Sequence, residues 1–158
     1  MKNEEFIQRR LLGESQKLVE AEFYYPAFFL VSQGIETLGA FLDSKPLGAK
    51  QQSKKRFHKA VQELFPEPYQ SLLEKEWLYK QLRCSISHLS SPGGFITLVS
   101  RTHTKKKHLQ PSEGKYIFII EDLVHDFVGA CQELIRRLQE GTLKQKQMAF
   151  CEIDTLKP

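Results

Sequence analysis

The segment Tyr25-Pro26-Ala27-Phe28-Phe29-Leu30-Val31-Ser32-Gln33-Gly34-Ile35-Glu36-Thr37-Leu38-Gly39-Ala40-Phe41-Leu42 decides the fold class. Phe28, Val31, Ile35, Leu38 and Leu42 recur at helical spacing on one face, and Leu30, Gly34 and Phe41 widen it. Pro26 falls in the first turn, where no amide donor is missed. So broad an apolar surface belongs to a central helix, and it also suits half of a dimer interface. Gln33 and Glu36 interrupt the longest apolar run, Phe23 to Leu42. A charge at mid-span is costly in lipid, so the run reads as a buried helix and not a membrane span.

Working outward, a first helix is expected from Asn3 to about Phe23. Its stripe of Phe6, Leu11, Leu12, Leu18 and Val19 is imperfect. Asp43 to Gln52 holds Ser44, Pro46 and Gly48 and reads as a loop. Ser53 is placed to cap a third helix that runs to about Leu64, with Phe57, Val61 and Leu64 at helical spacing. Pro66 and Pro68 break it. A fourth helix is expected from about Tyr69 through Leu72, Leu73, Trp77 and Leu78 to His88, and Ser90-Ser91-Pro92-Gly93-Gly94 stops it.

The period then changes. Phe95 to Val99 and Tyr116 to Ile120 are β-rich runs joined by a polar, basic connection, and they read as a two-stranded hairpin. A last helix begins near Asp122, with Leu123, Phe127, Cys131, Leu134 and Leu138 as its buried stripe and Gly141 as its stop. The expectation is a mainly α bundle of about five helices over residues 1–141, with one β-hairpin insert near 95–120 and a polar tail over 142–158.

A chain of 158 residues is one domain, long enough to bury its core without disulfides. Its three cysteines, Cys84, Cys131 and Cys151, form no Cys-x-x-Cys pair. That argues against a zinc finger or a secreted disulfide framework and for a reducing, cytoplasmic setting. The acidic amino terminus is not a signal peptide. The net charge is +4, with basic residues gathered at Lys50–Lys59, Arg101–His108 and Arg136–Lys146. Such patches either track an anionic polymer or are solvated loops and helix ends.

The chemistry-bearing stretch is Leu82-Arg83-Cys84-Ser85-Ile86-Ser87-His88. Arg83 carries a permanent cation that holds phosphate through two nitrogens. His88 exchanges a proton near neutral pH, which suits general acid or base work. At about 100° per residue, positions five apart on an ideal helix point about 140° away from each other. The pair therefore meets only if the helix loosens, which Ser85, Ser87, Ser90, Ser91 and Pro92 favour, if the arginine bends round, or if a second subunit completes the site. The plainer alternative has Arg83 paired with a carboxylate and His88 at a helix end, where the dipole favours it. Glu36, a carboxylate inside an apolar stripe, needs a partner. Pairing with Arg83 or orienting His88 would supply one, and solvent at the stripe's edge is the alternative.

Arg83-Cys84-Ser85-Ile86-Ser87-His88, at a helix end in an all-helical layout, resembles the Arg-x4-6-His motif of the HEPN superfamily. The apolar helix carrying Glu36 is similar to that family too, and the resemblance covers roughly Phe6 to Leu138. It implies a HEPN-like helical bundle that acts on RNA, with Arg83 and His88 as catalytic residues, and Glu36, Cys84 and Ser87 are the residues expected to support them. The implied activity is a metal-independent endoribonuclease that leaves 2′,3′-cyclic phosphates and spares DNA. The implied setting is a homodimer in a bacterial defence or toxin–antitoxin system, with an antitoxin protein as partner and no cofactor. Members commonly place asparagine after the arginine, where this chain has Cys84. A thiol is a weaker hydrogen-bond partner. Many relatives are non-catalytic, so an inactive dimerisation module that binds a nucleotide or protein stays open beside the nuclease.

Arg101, Lys105, Lys106 and Lys107 in the connection are the expected RNA-backbone contacts. Cys84 and His88, four apart, could share a metal only with ligands from His103, His108, Cys131 or Cys151, and nothing fixes their approach. A nucleophilic Cys84 lacks a third orienting group. Cys131 reads as inert core and His125 as exposed. No Gly-rich phosphate loop is present.

Overall fold

A computed structural model of the chain describes residues 1–148. Helix α1 is continuous, made of α-helical Asn3–Phe6, a π-helical stretch Ile7–Gly13 and α-helical Glu14–Glu20. The π stretch explains the imperfect stripe. Wider turns bury Ile7, Leu11, Leu12 and Ser15, while Phe6, Leu18 and Val19 lie at the core's edge. Helix α2 (Tyr24–Leu42) is central, packing on α1, on α3 (Ser53–Leu64) and on α5 (Ile120–Gln139). Phe28, Val31, Ile35 and Leu38 are fully buried. They meet Phe57 and Val61 from α3 and Leu123, Phe127, Cys131 and Leu134 from α5 in one core.

Two glycines set how closely α2 is approached. A Cβ on Gly39 would lie 1.9 Å from the Arg56 carbonyl oxygen, so α2 and α3 cross there backbone to backbone. A Cβ on Gly34 would lie 2.5 Å from the Phe127 ring of α5. Beside the α2–α3 crossing, Arg56 is buried at 4% exposure. It donates to Asp43 at 2.7 Å and to the Leu47 and Pro46 carbonyls, pinning the loop after α2. The tail continues this clamp. Lys146 bonds Asp43, and its backbone exchanges two hydrogen bonds with Asn3. The tail residues from 149 to 158 lie outside the described residues, as does Cys151.

The fourth helix begins later than its apolar spacing suggests. Glu67–Glu76 is 3-10 structure broken at Glu74 and Lys75, and Lys75 and Glu76 take positive φ of 51° and 62°. Helix α4 then runs as Trp77–Tyr79, a π-helical stretch Lys80–Cys84, and Ser85–Leu89. Ser90 in the left-handed region ends it. Gly93 packs back on α4, its amide donating to the Gln81 carbonyl at 2.9 Å, and a Cβ there would strike Gln81.

The β insert corrects the hairpin expectation. β1 (Ile96–Val99) pairs with β3 (Lys115–Ile119) in parallel, Ile96 opposite Tyr116. The short β2 (Pro111–Ser112) adds antiparallel to the other edge of β3, giving the order β1-β3-β2. Parallel pairing needs a crossover of about a dozen residues or more, and residues 100–114 supply it. The hairpin is the β2–β3 pair. The fold is thus mainly α, five helices among the described residues, with a small sheet between α4 and α5. No helix among these residues is long and apolar enough to cross a membrane.

Candidate functional site: the seam between α2 and α4

Helix α4 lies antiparallel along α2, and a line of polar contacts marks the seam. At one end the Tyr25 hydroxyl donates to the Ser90 carbonyl. In the middle the Gln33 amide donates to Ser87 Oγ at 3.2 Å. At the other end Arg83 Nε donates to Glu36 Oε2 at 2.6 Å. The second Glu36 oxygen accepts from the Ser53 hydroxyl at 2.7 Å. Ser53 is therefore not the cap of α3. That position is Gln52, and Ser53 in the first turn spends its hydroxyl on Glu36. The Gly39–Arg56 crossing is what brings α3 near enough for that bond.

Ser87 closes a smaller circuit. Its hydroxyl donates to the Arg83 carbonyl at 2.8 Å, and its oxygen accepts from Gln33 and from Arg83 Nη1. One donor and two acceptor positions are then all in use. The arginine is fixed at two points, Nε on Glu36 and Nη1 on Ser87. Nη2 and the second Nη1 hydrogen make no bond among the described residues. The side chains of Arg83 and Glu36 are 23% and 22% exposed, so the free edge of the guanidinium is reachable from solvent.

The backbone at Arg83 is unusual. The Ser85 amide and hydroxyl both reach back to the Lys80 carbonyl, five residues earlier. This π turn is the form that the loosening of α4 takes, and it lies before the motif's histidine. Arg83 and Ser87, four apart, share a face. His88, one residue on, is exposed, and its ring makes no hydrogen bond among the described residues. The structure thus brings together Glu36, Arg83 and Ser87, adds Gln33 and Ser53, and does not join His88 to them by any hydrogen bond among the described residues. Cys84 lies on the α3 side, close to the Tyr79 hydroxyl. Burial first, then the neighbouring Cys84, pushes the Tyr79 phenol up. Gln33 could have been found in the sequence, because it sits one turn from Glu36 on the same face of an otherwise apolar helix.

The basic connection sits elsewhere in the fold. Arg101 pairs with Asp122, and its amide donates to Glu121, both in the first turn of α5. Lys106 donates to Ser112. The ammonium groups of Lys105 and Lys107 make no ion pair among the described residues. The other basic patches are largely neutralised within the chain. Lys54 pairs with Glu76 and Lys59 with Glu63. Arg136 pairs with Glu133 and Glu140, and Arg137 with Glu133 and Glu63.

His108 belongs to a network that no local pattern announces. Its Nδ1 accepts from the Ile119 amide at 2.9 Å, so the neutral ring carries its proton on Nε2. Nε2 then donates to the Tyr69 oxygen at 2.7 Å, and the Tyr69 hydroxyl donates to Asp126 at 2.8 Å. Burial lowers the His108 pKa to about 4 and raises those of Tyr69 and Asp126. Both ring nitrogens are in use, which removes His108 from the metal ligands considered from sequence. Cys131 is fully buried, and burial pushes its thiol up. Among the described residues no group of three or more His, Cys, Asp or Glu converges as a metal site. Searches of family models, curated proteins and solved structures find no match to this chain.

Proposed function

We propose that the chain is an RNA-acting, HEPN-like domain whose site is the α2–α4 seam. The observation that carries this reading is the state of Arg83. Glu36 and Ser87 hold the guanidinium at two points and leave it with spare N–H donors, while the exposed His88, five residues on in α4, makes no hydrogen bond among the described residues. A fixed guanidinium with spare donors suits a phosphate oxygen. A histidine free of internal hydrogen bonds is available to exchange protons.

On this reading Arg83 neutralises the scissile phosphate. His88 takes the proton from the adjacent 2′-hydroxyl, whose oxygen attacks phosphorus as the bond to the 5′-oxygen breaks. The departing oxygen is protonated by water or by the His88 of a second copy. The product is a 2′,3′-cyclic phosphate, the nucleophile is internal, and the step needs no metal. The proposal extends to a homodimer, and to a role in bacterial defence or beside an antitoxin protein, on the resemblance alone.

A second reading has its own support. Arg83 turns towards α2 and makes no hydrogen bond with His88 among the described residues, and Cys84 stands where a stronger hydrogen-bond partner would steer RNA. These features favour a module that binds RNA or another anionic partner without cutting it. Incubation of a mixed RNA pool in EDTA with wild type and His88→Ala, followed by mapping of the 3′ ends, separates the two. Cyclic phosphates that vanish in the variant establish the nuclease. Binding without cutting, lost in Arg83→Ala, establishes the module. Neither cutting nor binding removes the RNA reading.

A further inference from the structure

The rim of the seam carries apolar surface that neither the core nor the ion pair uses. Tyr25 is 46% exposed, Phe29 44% and Leu89 75%. At about 100° per residue, Tyr25, Phe29, Gln33 and Glu36 lie within an arc of about 80° on α2. That arc faces away from the buried stripe of Phe28, Val31, Ile35 and Leu38. Contacts fix how it meets α4, with Tyr25 on Ser90, Gln33 on Ser87 and Glu36 on Arg83. Phe29 lies one turn from Tyr25 and one turn from Gln33. It therefore stands opposite the Ser87–Ser90 turn, which carries His88 and Leu89. Among the described residues neither Phe29 nor Tyr25 packs against another aromatic ring.

We propose that Phe29, framed by Tyr25 and Leu89, is a stacking platform for one unpaired base of the strand whose phosphate Arg83 takes. The proposal rests on the RNA reading above and adds the form of the ligand. That ligand is a single strand able to splay a base beside the held phosphate. A single strand offers a flat π face at every backbone unit along its row of anions, which suits an exposed ring about two turns, or about 10 Å, along α2 from the Arg83–Glu36 pair. A protein partner fits less well, because the core of a protein interface is depleted of charge. Here the exposed apolar residues lie on the same seam as the charged Glu36–Arg83 pair, at its opposite end. Phenylalanine has no polar edge, so it reads stacking strength and not base identity, and purines stack more strongly than pyrimidines.

The test uses the full chain and 2′-O-methyl oligonucleotides, which cannot be cleaved because the attacking hydroxyl is blocked. Fluorescence anisotropy measures the affinity of an eight-nucleotide oligo-A and an eight-nucleotide oligo-U for wild type, Phe29→Leu, Phe29→Trp and Arg83→Ala. Leucine keeps the apolar surface and removes the π face. The expected result is that wild type binds oligo-A more tightly than oligo-U. Phe29→Leu then loses about tenfold on oligo-A and flattens the difference. Phe29→Trp retains binding and shows its own fluorescence quenched by oligo-A, beyond any change in Trp77. Binding that is lost in Arg83→Ala but unchanged in Phe29→Leu, with no quenching in Phe29→Trp, overturns the platform and leaves the RNA reading standing. Failure of wild type to bind either oligonucleotide overturns both. A Phe29→Leu protein that dissociates in sedimentation while keeping its oligonucleotide affinity shows the face to be an interface between copies, and also overturns the platform.

Discussion

Glu36 is the residue on which the seam turns, because each of its oxygens serves a different helix. Oε2 holds Arg83 on α4 and Oε1 holds Ser53 on α3, so one carboxylate ties three helices together. A hydrogen bond to a charged group contributes about 1.5–3 kcal/mol, and a neutral one about 1 kcal/mol. Glu36→Gln keeps the shape, removes the charge and leaves Arg83 with an uncompensated cation. We expect it to lower unfolding stability by about 1–2 kcal/mol in urea titration, and to weaken RNA binding by releasing the guanidinium from its fixed position. Ser53→Ala should cost about 1 kcal/mol or less and loosen Arg83 less. If Glu36→Gln changes neither stability nor binding, the carboxylate does not organise the site. The need for a partner was legible from a lone carboxylate in a largely apolar run, although Glu36 lies on the face of α2 opposite the buried stripe. Ser53 was not, since a serine before a helical run reads first as a cap. Its bond to Glu36 arises only because α2 and α3 cross so closely.

That crossing is a property of elements, and its cause is Gly39. A Cβ there would lie 1.9 Å from the Arg56 carbonyl oxygen and 2.4 Å from its carbonyl carbon. Both are backbone atoms, so no side-chain rotation relieves the clash and α3 must move as a body. Gly39→Ala should therefore destabilise the fold by about 1–3 kcal/mol or more, although alanine is the better helix former. A denaturation midpoint equal to or above wild type would show that α3 can shift without penalty. The stripes of α2 and α5, the stop after α4 and the β period at Ile96 were all legible, because burial imposes a period on the sequence. The parallel pairing of β1 with β3 was not, since alternation is the same in both orientations. The late start of α4 was hidden too. Its break uses Lys75 and Glu76 at positive φ, with no glycine to announce it. The basic connection is a further element whose role is open to measurement. Arg101 and Lys106 are held within the chain, so Lys105 and Lys107 are the cations left for phosphates. Lys105→Gln/Lys107→Gln should lower the slope of log affinity against log salt by about 1.4, near 0.7 per single-strand phosphate contact. An unchanged slope would make this loop a solvated tip.

At the scale of the whole molecule, one part-buried relay links distant points of the chain between Tyr69 and Asp126. Tyr69 precedes α4, His108 lies in the connection between β1 and β2, and Asp126 is on α5, so the relay joins three separate parts of the sequence. Separations of 39 and 57 residues left no local trace of it. Burial holds His108 neutral, with a pKa of about 4 against the ordinary 6.5. Asp122 opposes that shift by favouring the cation, and Arg101 reinforces it. Between pH 6.5 and 4 the unfolded chain binds a proton at this histidine that the folded chain refuses. Stability contributed by the neutral ring is therefore present above pH 6.5 and lost as pH falls towards 4, by about 2 kcal/mol between pH 7 and pH 5. His58 is shifted down as well, chiefly by burial, and adds to the loss. Asp126 is shifted up by burial and works in the opposite sense, nearer the acid end. Urea titrations at pH 7 and pH 5 measure the sum, and the His108 ring proton followed by NMR isolates the one group. We expect that resonance to stay put from pH 7 to pH 5 and to move only near pH 4, together with the Ile119 amide that bonds Nδ1. A histidine titrating near 6.5 would mean that the relay opens to water in the folded state, and the stability difference between the two pH values would shrink with it.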